Sequence, residues 1–182
     1  MFEVKLVELP AKVLRRISKE VSLPLSEEDD LLAQKMIYHV TDSQQPNTKF
    51  RPAVGVAAVQ YGIEKRMFYF RVPDENNKII VEDLLINPKY IAKSDQMIAI
   101  SVGEGCLSVN EKYPNQEGYI YRPARVVVTG YSYLSKKEVT HDLVGYPAVV
   151  CGHEMDHLDG KLFVDRINKK NPWKKIKDAF YI

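Results

Sequence analysis

Cysteine is scarce: two residues, Cys106 and Cys151, in a chain of 182. In a reducing compartment two such thiols read as core residues or metal ligands ahead of disulfide partners. An excess of one sign of charge is also missing. The 26 basic and 24 acidic residues leave a formal net charge of +2, which excludes the bulk positive field of a dedicated nucleic-acid binder, and no DNA partner is expected. No apolar run approaches a membrane span, and the opening MFEVKLVELP, with Glu3 and Glu8, lacks a signal-peptide core. A cytoplasmic location without a membrane partner is the expectation. There is no repeat, low-complexity tract or long linker. What is present, 45% hydrophobic and 27% charged residues, suits one domain over residues 1–182 with a core of its own.

The stretch PLSEEDDLLAQKMIYHV predicts a first helix. Ser26 caps it, Glu27, Glu28 and Asp29 sit in the first turn where the helix dipole favours negative charge, and Leu32, Met36 and Val40 stack on one face. A polar connection follows around Asp42–Lys49. The runs KRMFYFRV, DLLINPKYI, QMIAISV, ARVVVTGYSYL and KEVTHDLV, rich in β-branched and aromatic residues, read as strands, the last two as an antiparallel hairpin turning at SKK. Strands and helices do not alternate, so the class is α+β. GYPAVVCGHEMDHLDG reads as a helix with Pro147 in its first turn and Gly160 beyond its end, although Gly152 lowers its propensity. The closing NKKNPWKKIKDAFYI fits either a short helix or an edge strand.

The second helix carries HEMDH, His153 to His157. Residues four apart on a helix are displaced by about 6 Å and roughly 40°, so both imidazoles project side by side and can chelate one metal ion. Glu154 is rotated about 100° from His153, poorly placed as a ligand but suited to general-base work beside the ion. A catalytic site takes three protein ligands and keeps a position open, so a third ligand must be found. The metzincin pattern continues through Gly160 but has Phe163 where its third histidine belongs, and no glutamate follows Glu154 to serve in its place. His39, His141, Cys106, Cys151 and the aspartates remain. Cys151 points about 200° away from His153 on the same helix. Cys106 lies in the glycine-flanked GEGCLS after a strand and is the better third ligand.

Three motifs, AVGVAAVQ at 53–60, EGCLS at 104–108 and HEMDH at 153–157, together with LPLSEED, INPKY, VGYPAVV and HLDGKLFVDRI, resemble those of peptide deformylases. These enzymes remove the formyl group from the N-terminal methionine of nascent proteins. The insertion before the first motif is similar to that of the Gram-positive subclass. Ala53, Val59 and Gly152 depart from the family pattern, which more often has glycine, proline or a small residue, and glutamine there.

The resemblance implies antiparallel sheets packed around the helix that carries HEMDH, and one divalent ion held by Cys106, His153 and His157. The ion would be ferrous iron, with zinc, nickel or cobalt as substitutes, all of which suit a thiolate and two imidazoles. It implies Glu154 as proton carrier, and the Gln60 amide and Leu107 N–H as donors to the oxyanion. Val54, Tyr146, Val149 and Val150 would line a methionine pocket, Gly55 and Gly105 would pair with the peptide backbone, and Asp156 with Arg122 would orient the site. Core packing is the competing reading for the pocket residues, a solvated loop amide for Gln60 and a surface charge for Asp156. N-formylmethionyl peptides of nascent chains are the implied partners of a monomer. The lysines at 169, 170, 174, 175 and 177 read as a solvated face, with transient ribosome contact as the alternative. The rival functions are a metallopeptidase with a cysteine ligand, and a closed structural zinc site of Cys106, Cys151, His153 and His157.

Overall fold

The computed structural model describes residues 2–182. Helix α1 (Glu27–Ser43) starts where the sequence puts it: Asp29 N–H donates to Ser26 Oγ at 3.1 Å. Leu32, Met36 and Val40 are buried, as their helical spacing requires. The helix absorbs Asp42 and Ser43, so the polar connection begins at Gln44, later than the composition suggests.

Strands β1 (Gly55–Ala57), β2 (Met67–Pro73) and β3 (Ile79–Lys93) lead to β4 (Met97–Ala99), β5 (Arg122–Pro123), β6 (Arg125–Ser132) and β7 (Lys137–Val144). Five of them form an antiparallel sheet in the order β1-β2-β3-β6-β7. The hairpin turning at SKK is present as β6 and β7, paired from Arg125↔Val144 to Ser132↔Lys137. Strand β2 explains the near-continuous apolar run MFYFRV. Met67 and Tyr69 face the cluster under α1, while Phe68, Phe70 and Val72 face the opposite cluster with Cys151, Met155 and Leu158. A strand covered on both faces has no solvent side on which to alternate.

Helix α2 (Tyr146–Leu158) packs on that second face. Gly145 caps it with φ +69°, and Gly160 follows it with φ +68°, where a Cβ would also lie 2.7 Å from the Arg15 carbonyl oxygen. Both positions favour glycine because L-residues rarely adopt this conformation. On its other side α2 meets a small sheet in the order β5-β4-β8, with β8 being Phe180–Tyr181. Val149 packs there with Ile98 and Ala124. The helix therefore lies between two sheets, as the α+β reading with a central helix implies.

The structure also differs from the sequence reading in the extent of two strands and in one parallel pairing, and it decides the closing segment between its two alternatives. Strand β3 begins before DLLINPKYI, at Ile79. QMIAISV yields only three strand residues. The closing segment settles as the edge strand β8, which pairs in parallel with β4, Ile98↔Phe180 and Ala99↔Tyr181, an exception to the antiparallel pattern. Two-residue strands carry too little local signal to be read before their partner is known.

Candidate metal centre

Helix α2 projects His153 and His157 together, with ring centroids 5.0 Å apart. Strand β4 delivers the chain to Cys106, whose Sγ lies 3.2 Å from His157 Nε2. One ligand atom from each of Cys106, His153 and His157 falls within 4.8 Å of the others, the one such group among the described residues. His153 Nδ1–H donates to Glu104 Oε2 at 2.8 Å, which fixes the ring and leaves Nε2 for the centre. A soft thiolate and two imidazoles suit a first-row divalent ion. Two buried polar atoms beside them, His157 Nδ1 and Glu154 Oε2, have no protein partner. The residues present thus fit a metal ion.

Charge is arranged around this group in a chain. Arg122, 2% exposed, donates through Nε and Nη2 to both oxygens of Glu104 at 2.6 and 2.9 Å, and through Nη1 to Asp156 at 2.8 Å. Arg166 also donates to Asp156, through Nε to Oδ2 at 2.5 Å and through Nη2 to Oδ1 at 2.6 Å. Burial opposes the Glu104 charge, but the Arg122 guanidinium prevails and holds its carboxyl down at about 2. Burial likewise opposes the Cys106 thiolate, and the neighbouring His157 and His153 hold the thiol well below its ordinary range. The group is therefore set to present sulfur as thiolate, the form that binds metal. Glu154 has no such partner, and its burial pushes the carboxyl up to about 7.

The other candidate residues converge on the same spot. Gln60 is 2% exposed, not a solvated loop amide. Its Oε1 accepts from Ala57 N–H at 2.9 Å, which turns Nε2 toward Ser108 Oγ at 3.2 Å and Cys106 Sγ at 3.6 Å. Leu107 follows Cys106, and its N–H donates to no protein group among the described residues. A groove of about 770 Å³ opens over the centre, and Val54, Gly55, Gly105, Tyr146, Val149 and Val150 all line it together with Gln60, Leu107 and Glu154. Gly55 also meets a constraint that the sequence did not suggest: a Cβ there would lie 2.6 Å from Glu154 Oε1. Only glycine lets this strand pass so close to the carboxylate.

Cys151 is fully buried in the cluster with Phe68 and Phe70 and takes no part in the ligand group, so a four-ligand structural site is not formed. His141 binds Asp83 on the large sheet, and His39 binds Tyr61. Phe163, at the metzincin third-histidine position, stacks on the His153 ring with centroids 6.1 Å apart. The residue missed from sequence is Glu104, although a carboxylate partner for a ligating histidine is a recurrent need and EGCLS held one. The Arg122–Asp156 pair is present. Gly152, a departure from the family pattern, faces Arg122: a Cβ would lie 3.2 Å from its Cδ and 3.3 Å from Nη1.

The sequence family described as polypeptide deformylase matches residues 4–173. A peptide deformylase of Mycoplasmopsis pulmonis is 52% identical over 189 residues, covering 96% of each chain. That of Lacticaseibacillus casei is 43% identical over 176 residues, covering 94% of each. Among solved structures, peptide deformylase from Ehrlichia chaffeensis aligns with a TM-score of 0.73 at 30% identity, covering 92% of this chain and 89% of that one. A class I type b peptide deformylase from Acinetobacter baumannii, bound to Met-Ala-Ser, aligns with a TM-score of 0.72 at 29% identity, covering 90% and 98%. With motifs, fold and relatives in agreement over nearly the whole length, this chain belongs to the polypeptide deformylase family.

Proposed function

We propose that Cys106, His153 and His157 hold one divalent ion and that Glu154 moves the proton as the chain hydrolyses the formamide bond of N-terminal formyl-methionine. Removal of the N-formyl group from nascent polypeptides is the activity of the family to which the chain belongs. The observation that carries the residue assignment is the meeting of thiolate and two imidazoles, within 4.8 Å, beside a buried carboxylate with one free oxygen at the floor of a groove. When bound there, the ion supplies a Lewis acid that makes water acidic enough to yield hydroxide near neutral pH.

The chain's own residues supply the rest. Glu154 accepts the proton of the attacking water and returns it to the leaving amine, so formate and a free N-terminus result. Gln60 Nε2–H and Leu107 N–H donate to the oxyanion that develops on the formyl oxygen. Glu104 and Arg122 keep the His153 ring oriented. Val54, Tyr146, Val149 and Val150 hold the flexible methionine side chain, and the backbone of Gly55 and Gly105 pairs with the peptide. The solved relative with Met-Ala-Ser bound supports a peptide of this kind in the groove.

Ferrous iron is the proposed physiological ion, with zinc, nickel or cobalt as substitutes. The chain acts as one catalytic domain and a monomer in the cytoplasm, where nascent chains emerge, and no described helix is long and apolar enough to cross a membrane. The exposed Lys169, Lys170, Lys174, Lys175 and Lys177 offer positive charge for a transient ribosome contact.

Formate release from formyl-Met-Ala-Ser, by metal-loaded protein purified without oxygen, tests the assignment. Glu154→Ala should abolish release while retaining the metal. Release that persists in the variant would remove Glu154 from the mechanism. A wild type that cleaves internal amides and releases no formate would restore the metallopeptidase reading.

A further inference from the structure

Glu104 and Cys106 sit on an irregular segment, residues 101–121, that has no regular secondary structure of its own. Both ends of it are held by residues 172–182. At the start, Ser101 N–H donates to the Ile182 oxygen at 2.6 Å, and Ile182 N–H donates to Ala99 O at 3.1 Å, extending the parallel pairing of β4 with β8. At the far end, Tyr119 N–H donates to Pro172 O at 2.9 Å. The Tyr121 hydroxyl, one residue before Arg122, lies 2.9 Å from that of Tyr181 and donates to Lys174 O at 2.7 Å. Trp173 lies edge-on against Tyr119 at 5.0 Å, and a Cβ on Gly103 would touch it at 3.7 Å. Just before this stretch, Ile167 packs in the same apolar cluster as Cys106.

We propose that residues 172–182 form a strap that positions the ligand-bearing segment, so that strap docking and metal retention are linked. The inference rests on the assignment of Cys106, His153 and His157 as metal ligands. Two ligands ride on a rigid helix; the third rides on a segment whose ends are fixed by backbone bonds to the strap. Loosening those ends lets Cys106 and Glu104 drift from α2, and the centre loses its third ligand and its orienting carboxylate together. Linkage is reciprocal: whatever the strap adds to metal affinity, the metal adds to strap docking. Trp173, the one tryptophan of the chain, reports that docking directly.

The test compares the intact chain with Tyr181→Phe, Tyr181→Ala and a deletion of residues 177–182. Zinc affinity is measured by chelator competition, and the melting temperature is measured with and without saturating zinc. Deletion should weaken zinc binding by about ten-fold or more, the range seen when groups that orient metal ligands are removed. Tyr181→Phe should give a smaller loss in the same direction. The rise in melting temperature produced by zinc should shrink in the same order, because that rise depends on affinity for the folded chain. In the intact chain, zinc should shift Trp173 fluorescence and slow amide exchange at 178–182.

A strap that is only structural would lower the apo and zinc-loaded melting temperatures alike and leave zinc affinity equal to that of the intact chain, which overturns the proposal. If the deletion variant does not fold, Tyr181→Phe decides by the same criterion. An intact chain that binds no zinc overturns the ligand assignment itself, a distinct outcome read without any variant.

Discussion

Two histidines of this molecule make the same contact and do different things. His141 Nε2–H on β7 donates to Asp83 at 2.8 Å, and His153 Nδ1–H on α2 donates to Glu104 at 2.8 Å. Both carboxylates are buried and each has further donors: Ser132 Oγ at 2.7 Å and Leu84 N–H at 2.8 Å for Asp83, the Arg122 guanidinium for Glu104. The pair at His141 stitches β3 to β7 across the large sheet. The pair at His153 turns a ring whose other nitrogen looks at a thiolate and a second imidazole. A histidine–carboxylate pair is therefore not a site by itself; convergence of further ligands beneath an open groove makes it one.

The largest expected effect separates the two histidines outright. Cys106→Ala should abolish zinc retention on dialysis and with it formate release, whereas His141→Ala should leave both intact. Metal analysis of the two dialysed proteins checks this, and zinc loss from His141→Ala would erase the contrast. Next, Glu104→Gln should weaken zinc binding by about 10–100-fold by releasing the His153 ring. Asp83→Asn should leave zinc affinity untouched, a difference that chelator competition measures.

Stability sharpens the comparison further. Arg122→Met strands the Glu104 carboxylate in the interior, while Asp156 keeps Arg166, and should cost about 3–5 kcal/mol in denaturant unfolding. Ser132→Ala removes one of several donors to Asp83 and should cost about 1 kcal/mol. Equal losses from the two would mean that the buried charge at Glu104 is better solvated than its burial suggests. The smallest effect belongs to Gly152→Ala. A methyl group there gains about 1 kcal/mol of helix propensity but presses on a guanidinium held by two carboxylates, so the net loss should be about 1 kcal/mol or less. An unfolding midpoint above wild type would show that Arg122 can move aside.

Local pattern carried the reading where one element holds everything needed. The helix period alone puts His153 and His157 on one face and turns Cys151 away from them, and the structure has all three so placed. Ser26, with four acidic residues after it, announces α1 for the same reason. The motifs around Gln60, Cys106 and His153 were legible as a resemblance. Their meeting point was legible only through that resemblance and not from local pattern, because Gln60 reaches Cys106 across 46 residues and Cys106 reaches His157 across 51.

The sequence by itself thus determined the paired histidines, the adjoining glutamate, the class of fold and the likeness to deformylases, because each is written in spacing along one element or in contiguous motifs. Only the tertiary structure decided that Glu104 steadies His153, that Arg122 joins two carboxylates behind the centre, that Gly55 makes room for Glu154, and that β8 closes on β4. Each of these joins residues far apart in the chain. Their energies arise from burial and charge pairing in the folded interior, and a linear pattern carries no record of which buried group will face which.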